Sequence, residues 1–323
     1  MAINVNVWNL MFSMRSVQKW QDSLQSNING AVRNGYKEHE VVFGGNAIYD
    51  AISPTTISLG KQVAEQTVTV GFTRNIWKQG NIVPGKTDTD FAIRGNGFFA
   101  VADPLRTNWA ANGVGGPLYF NGNAQGGGNP QQAYLTKDGQ FTWGLVKDAT
   151  GVNIAVRRGV STDLNELVLV NPQGLVVLSE FDNGNSDNSL APVTHASFMG
   201  PNRVRPSVFA PTTDPSNTGT NPVSIIENSD LKYSRFGSTI FEAPLSSSFK
   251  AIVNGNVRLN DMRSLTDFTD YGSQLIENAL EASNVSVEKQ IAQLSNSKQM
   301  QEALIKQLLV FYKNIDVGIE LIK

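Results

Sequence analysis

The chain contains no cysteine among its 323 residues, which excludes disulfide staples and thiolate metal sites and leaves stability to packing and assembly. Its two histidines, His39 and His195, stand at no metal-ligand spacing from acidic partners, so neither is expected to hold a metal. Charged residues make up only 17% of the chain and the net charge is −2, without the basic bias that nucleic acid or an anionic membrane surface would select. No apolar run approaches the roughly eighteen residues of a membrane-spanning helix. The first residues, Met1 to Leu10, have no basic leader, so neither a cleaved secretory signal nor a span is expected.

Reaction chemistry is also missing. No serine sits in Gly-x-Ser-x-Gly, and no acid pair stands out for glycosidic work. Asp261, Asp267 and Asp270 lack the oxygen spacing and following glutamate of a calcium loop. Arg157-Arg158 and Arg203 with Arg205 form small patches suited to local salt bridging rather than to nucleic-acid contact. No catalytic, cofactor-binding or metal residue is therefore assigned, no cofactor is expected, and the chain is not expected to be an enzyme.

What is present is concentrated at the two ends. Val287, Ile291, Leu294, Ile305, Leu308, Tyr312, Ile315, Ile319 and Ile322, with Lys298 and Gln301 completing the series, alternate at spacings of four and three. This is a heptad a/d pattern, and it predicts a helix of roughly 54 Å at about 1.5 Å per residue. Residues 3 to 28 repeat the pattern with Ile3, Val7, Leu10, Met14, Val17, Gln21, Leu24 and Ile28, ending near Asn29-Gly30. Both helices carry further apolar residues off the seam, among them Trp8, Met11, Phe12, Leu309, Val310, Phe311 and Val317. Faces apolar on several sides need several partners. These residues are expected to pack the two termini together and then against neighbouring subunits.

Between the ends the pattern changes to period two. Val68, Val70 and Phe72 alternate with polar residues, and further strands are expected over Asn153–Arg157, Glu166–Asn171, Gly174–Leu178 and Phe249–Asn254. Asp90 to Val101 brackets Gly95-Asn96-Gly97 with apolar residues, so a strand, a tight turn and a second strand are expected as a hairpin. A phosphate loop is not, because the following helix and the third glycine are missing. Gly/Asn-rich residues 102–133 and Pro/Asn/Thr-rich residues 196–222 read as surface loops. The expected class is α+β: paired long terminal helices, coiled-coil-like, with a mainly antiparallel β domain carried at their far end.

The segment Asp90-Phe-Ala-Ile-Arg-Gly-Asn-Gly-Phe-Phe-Ala-Val101 resembles the central signature of the bacterial flagellar rod and hook proteins, with Phe91 in place of a leucine. Gln79-Gly80-Asn81-Ile82 before it and Tyr134-Leu-Thr-Lys-Asp-Gly-Gln-Phe141 after it are similar to flanking segments of that family. Asn27, Gly30, Gly35, Tyr36 and Lys37 follow the family's pattern at the end of its first helix, although Gly30 replaces an asparagine. Gly272-Ser273 and Leu280-Glu-Ala-Ser-Asn-Val285 are similar to the segment entering its last helix. These matches are colinear and cover about half the chain. The loops at 102–133 and 196–222 and the more apolar run from Leu308 to Ile322 depart from the family pattern.

The resemblance implies a structural subunit of an axial helical filament, exported without a cleaved signal to the basal body or hook, where it transmits torque. Its implied partners are other copies of itself and neighbouring rod or hook proteins, with no nucleic acid and no small-molecule substrate. The residues it singles out for subunit geometry are Asn27, Gly35, Asp90, Gly95, Gly97, Phe98, Phe99, Asp138, Gly139, Ser283, Asn284 and Val285. The domains expected are a terminal helical core (1–34 with 274–323), an extended inner β segment (35–80) and a β domain (81–273). A non-flagellar extracellular filament and a trimeric appendage or phage-tail-like protein stand as alternatives. An enzyme acting on cell-wall polymer is disfavoured by the missing acid pair.

Overall fold

Proline is absent from the first thirty residues and glycine occurs among them only at Gly30, so nothing interrupts backbone pairing until the Asn29-Gly30 stop. In a computed structural model that describes residues 2–45, 67–103, 133–145, 166–181, 189–200, 203–212, 231–242, 248–253 and 273–321, this stretch is one helix, α1 (Ala2–Gly30). Near the other end, the Ser286 hydroxyl accepts the Lys289 N–H and Glu288 complements the helix dipole. From there α3 runs over Val287–Glu320. A short α2 (His195–Met199) lies between them, opened by a Thr194–Ser197 capping box.

The strands fall, in chain order, at β1 (Glu38–Gly45), β2 (Val68–Ile76), β3 (Ile82–Pro84), β4 (Phe91–Arg94), β5 (Phe98–Ala102), β6 (Ala133–Thr136), β7 (Thr142–Gly144) and β8 (Val168–Val170). They continue with β9 (Val176–Phe181), β10 (Ser189–Pro192), β11 (Val208–Thr212), β12 (Lys232–Ser234), β13 (Gly237–Glu242), β14 (Ser248–Val253), β15 (Gln274–Glu277) and β16 (Ala279–Glu281). The class is mixed α+β, with an N-terminal helix, a C-terminal helix and antiparallel sheets between them in the chain. The expected strands at Asn153–Arg157, most of the 102–133 loop and the Asp261–Asp270 carboxylates lie outside the described residues.

Two compact units divide the chain: residues 1–32, 37–77 and 285–323 form the first, residues 33–36 and 78–284 the second. The strands of the expected inner segment therefore belong with the helices. Residues 274–284, expected with the helical core, belong with the sheets, because β15 and β16 pair there with β4 and β3. In the first unit β1 and β2 form an antiparallel ribbon from Glu38 opposite Ile76 to Gly45 opposite Val68, with a bulge at Val42/Phe43. The ribbon lies on α1, and Trp20 meets Phe43 edge-on at 5.4 Å.

In the second unit ten strands make one sheet, ordered β12-β13-β6-β5-β9-β8-β7, with β10 added to β9 and β11 linking β5 to β14. Its core is aromatic: Phe99 stands edge-on to Phe141 at 5.2 Å, and Phe91 to Phe198 at 6.2 Å. Phe198, Val208 and Phe209 are buried, so residues 196–222 are not wholly a surface loop; α2 and β11 bring apolar residues from this Pro/Asn/Thr-rich stretch into the core.

The expected Asp90–Val101 hairpin does not form. β4 pairs with β15, whereas β5 pairs with β6, β9 and β11. Gly95 and Gly97 adopt φ of 98° and 109°, which turn the chain out of one sheet and into another. Three other segments satisfy that turn in place of a ladder: Gln79 accepts the Gly95 N–H at 3.0 Å, Lys137 donates to the Gly95 carbonyl at 3.0 Å, and the Ser273 hydroxyl donates to the Asn96 carbonyl.

Candidate functional site

On α1 the stripe facing inward is mostly small and polar. Ser13, Ser16, Ser23 and Asn27 are buried beside Val17 and Leu24, while Val7, Leu10, Met14 and Ile28 are half-buried. The Ser13 hydroxyl accepts the Val68 N–H and the Ser23 hydroxyl donates to the His39 carbonyl, so short polar side chains stitch the helix to the ribbon. The α1 half of the predicted seam thus faces the interior of this unit.

Asn27 holds three segments together. Its amide donates to the His39 carbonyl at 2.7 Å and to Gln290 Oε1 at 3.1 Å, and its Oδ1 accepts the His39 N–H at 2.8 Å. Gln290 donates in turn to Glu38 Oε1 at 2.9 Å, which also receives Lys289 at 2.8 Å. Farther along, Gln21 donates to Gln301 at 3.0 Å. The pairs Asn27–Gln290 and Gln21–Gln301 run in opposite chain directions, so α1 and α3 lie antiparallel. Burial depresses the His39 pKa below 6.5 and keeps its ring neutral.

α3 departs from its predicted seam. Gln290 and Ser297 are its buried residues, and Leu294, Leu304, Leu308, Phe311 and Ile315 are half-buried. Of the predicted positions, Leu294, Gln301, Leu308 and Ile315 lie on this inner stripe. The others point away: Val287 is 40% exposed, Ile291 55%, Ile305 39%, Tyr312 51% and Ile319 51%. The bonds of Gln290 to Asn27 and Glu38 fix the first turns with position 290 inward, so the heptad set 290, 297, 304, 311 and 318 faces in. Ile3 and Ile322 lie outside the residues whose side chains are described. Leu309, Val310, Val317 and Leu321 are also exposed on α3, as are Trp8, Met11 and Phe12 on α1.

The remaining motif residues shape the second unit, apart from Val285, which is half-buried in the first. Gly35 has φ +68°, and its N–H donates to the Glu281 carbonyl at 2.7 Å; an added Cβ would come within 2.4 Å of the Asp138 nitrogen. At Gly139 an added Cβ would reach 1.6 Å from the Phe91 carbonyl oxygen. Asp90 Oδ2 accepts the Lys86 and Thr87 N–H groups at 2.7 and 3.0 Å, and Phe98 and Phe99 are buried. Asn284 donates to the Lys78 carbonyl at 2.9 Å, and Ser283 is half-buried.

Asp138 is buried, and that burial pushes its carboxyl up to about 6 with a small addition from Asp90. The Gln140 N–H and the Arg33 charge pull in the other direction. Arg205, one of the basic residues singled out above, binds Glu277 at 2.7 Å and lies over the Phe198 ring at 3.9 Å. Among the described residues no group of three or more His, Asp or Glu is placed to hold a metal ion. No described helix is long and apolar enough to cross a membrane.

No protein-family model matches the chain, and no curated protein matches it. Asn27 was legible in the sequence, but its buried partner Gln290 and the Glu38 that Gln290 binds were not, although Leu304 and Phe311 mark a second heptad register that sets position 290 inward.

Proposed function

We propose that the chain is a structural subunit of a self-assembling axial filament of flagellar rod or hook type, placed in the basal body or hook and transmitting torque through its terminal helices. The observation that carries this reading is the inverted sidedness of α3. Its buried residues are Gln290 and Ser297, while Ile291, Leu309, Tyr312 and Ile319 are all more than half exposed. Each such side chain, being about half exposed, gains roughly 1–2 kcal/mol when a partner covers the rest, which favours covering the face.

The colinear resemblance at both ends and the centre supports an axial subunit over a general adhesive surface, and supports coiled-coil-like contacts among copies and with neighbouring rod or hook proteins. A heterologous contact whose rotation does not close would extend such copies into a helical filament. Export without a cleaved signal belongs to the same reading.

Ile305→Asp tests it. The substitution should weaken assembly by about 3 kcal/mol, roughly a hundredfold, without unfolding the sheets of the second unit. Sedimentation velocity and negative-stain images read the result. Wild-type chains that stay monomeric at high concentration, or an Ile305→Asp chain that assembles normally, would overturn the proposal.

A further inference from the structure

Positions seven apart share one side of a helix, so each helix of the first unit can be followed round in columns. On α3 the column of Gln290, Ser297, Leu304 and Phe311 turns toward α1 and the start of β1, where Gln290 reaches Asn27 and Glu38. The next column, Leu294, Gln301, Leu308 and Ile315, is half-buried, and the one after it, Ile291, Lys298, Ile305, Tyr312 and Ile319, is exposed. α1 repeats this order. Ser13, Trp20 and Asn27 meet the ribbon, Val17 and Leu24 follow as buried residues, and Val7, Met14, Gln21 and Ile28 are half-buried. Met11, Gln18 and Gln25 come next and are exposed.

The half-buried columns therefore floor a groove on the side of the helix pair away from the ribbon, and the described strands of this unit all lie on the other side. One end of the floor is apolar, with Val7 and Met14 beside Leu308 and Ile315; its middle is polar, where Gln21 bonds Gln301 at 3.0 Å. The stripe from Ile291 to Ile319 is about 42 Å long and two helices are about 20 Å wide, so the face measures on the order of 800 Å² per copy, as much as a standard interface buries.

We infer that this groove closes on the same groove of a second copy about a two-fold axis running along the helices, making a four-helix bundle with the ribbons outside. Such an axis leaves no freedom of register, because each α1 meets the partner's α3 at the level at which it meets its own. Those levels, Gln21 with Gln301 and Asn27 with Gln290, bring Asp22 opposite Lys298, Arg15 opposite Ile305, Met11 opposite Leu309 and Trp8 opposite Tyr312.

Each exposed α3 residue then enters a hole of four on the facing α1. Ile305 enters between Met11, Met14, Arg15 and Gln18, and Tyr312 enters beside Val7, Trp8 and Met11. Lys298 is the charged knob, and its hole is the polar one, holding Asp22 among Gln18, Gln21 and Gln25. Glu302 falls opposite Gln18, one turn from Arg15. No like charges stand opposite each other along this seam. Both copies point the same way, as a polar filament requires. The inference rests on the self-assembly reading and names its first contact; the pair is closed, so growth beyond it falls to apolar residues left outside, among them Val310, Val317 and Leu321.

Charge reversal in the full-length chain tests the bundle, read as the dimer dissociation constant by sedimentation velocity below the concentration at which polymers form. Asp22→Lys and Lys298→Asp should each raise it about tenfold, because the pair occurs twice, and the double variant should return to within about twofold of wild type. The natural lack of cysteine supplies a second measurement. A Met11→Cys chain mixed with a Leu309→Cys chain should form a disulfide between copies under mild oxidation, whereas Met11→Cys alone should not, since the bond requires Cα atoms within about 7 Å and the two α1 helices lie on the bundle's diagonal.

Single reversals without effect, a double variant no better than either parent, or a mixture that forms no heterodimeric disulfide would overturn the bundle. If wild-type chains still polymerised in those cases and Ile305→Asp still blocked them, the filament reading would stand and only this contact would fall. A wild-type chain that stayed dimeric at every concentration, with the rescue and the disulfide intact, would keep the bundle and overturn the filament.

Discussion

Replacing Asp138 by Asn should stabilise the second unit at neutral pH and leave it unchanged in acid. The carboxyl is 6% exposed, and its pKa is raised from 3.8 to about 6. A raised carboxyl pKa means that the folded state binds the proton more tightly than the unfolded chain. The associated stability is complete below 3.8 and is lost as pH climbs through about 6. At roughly 1.4 kcal/mol per pH unit, the wild-type chain gives up about 3 kcal/mol across that window.

Asparagine keeps an oxygen for the Gln140 N–H and never ionises, so the variant forgoes the loss. For a unit of this size, about 3 kcal/mol corresponds to roughly 6–12 °C in Tm. Differential scanning calorimetry at pH 4 and pH 7.5 would show the two proteins converging in acid and separating near neutrality. Parallel curves at both pH values would mean that the ionised carboxylate is as well accommodated as the neutral acid, and that burial is not what governs this group.

Asn27→Ala should cost about 3 kcal/mol, because it leaves the His39 N–H and carbonyl and the Gln290 amide short of partners; faster amide exchange in the first turns of α3 would report it. Gly139→Ala forces the backbone at Phe91 aside and should cost roughly 4 kcal/mol, read as a lower urea midpoint for the sheets with the helical signal of the first unit retained. His39 has a depressed pKa, so its contribution is present above 6.5 and lost as pH falls below that value. His39→Gln should therefore flatten the acid-side loss in the first unit, measured by hydrogen exchange of β1.

The helices were written plainly in the sequence because a heptad pattern is local and α1 is free of breakers until Asn29-Gly30. Which side of α3 turns inward was not, because two overlapping registers share Leu294, Leu308 and Ile315. The choice between them rests on Gln290 reaching Asn27, a residue 263 positions away in the chain. The Gly95-Asn96-Gly97 turn was equally visible, but its strands were assigned to each other. Local composition marks a reversal without saying which sheet receives the next strand, and here the partners are β15 from late in the chain and β6, β9 and β11. α2 and β11 were hidden by the prolines and asparagines around them, while Phe198, Val208 and Phe209 were the apolar residues that betray them.

The polar seam and the apolar exterior of the helix pair make sense together. A seam of leucines between α1 and α3 would slide, since one apolar register is nearly as good as the next. Asn27, Gln290 and Glu38 admit a single register, because any shift leaves buried amides unpaired at about 1–3 kcal/mol each. Fixing α3 by polar contacts also fixes which apolar residues face out, and hence the pitch and order of the stripe from Ile291 to Ile319 that a second copy would meet. It follows that Gln290→Leu, apolar and of similar size, should disturb assembly more than it disturbs folding. The variant would retain helical content by circular dichroism while its polymers lose uniform diameter in electron micrographs. Uniform wild-type-like polymers from that variant would show that the outward stripe is set by something other than the buried network.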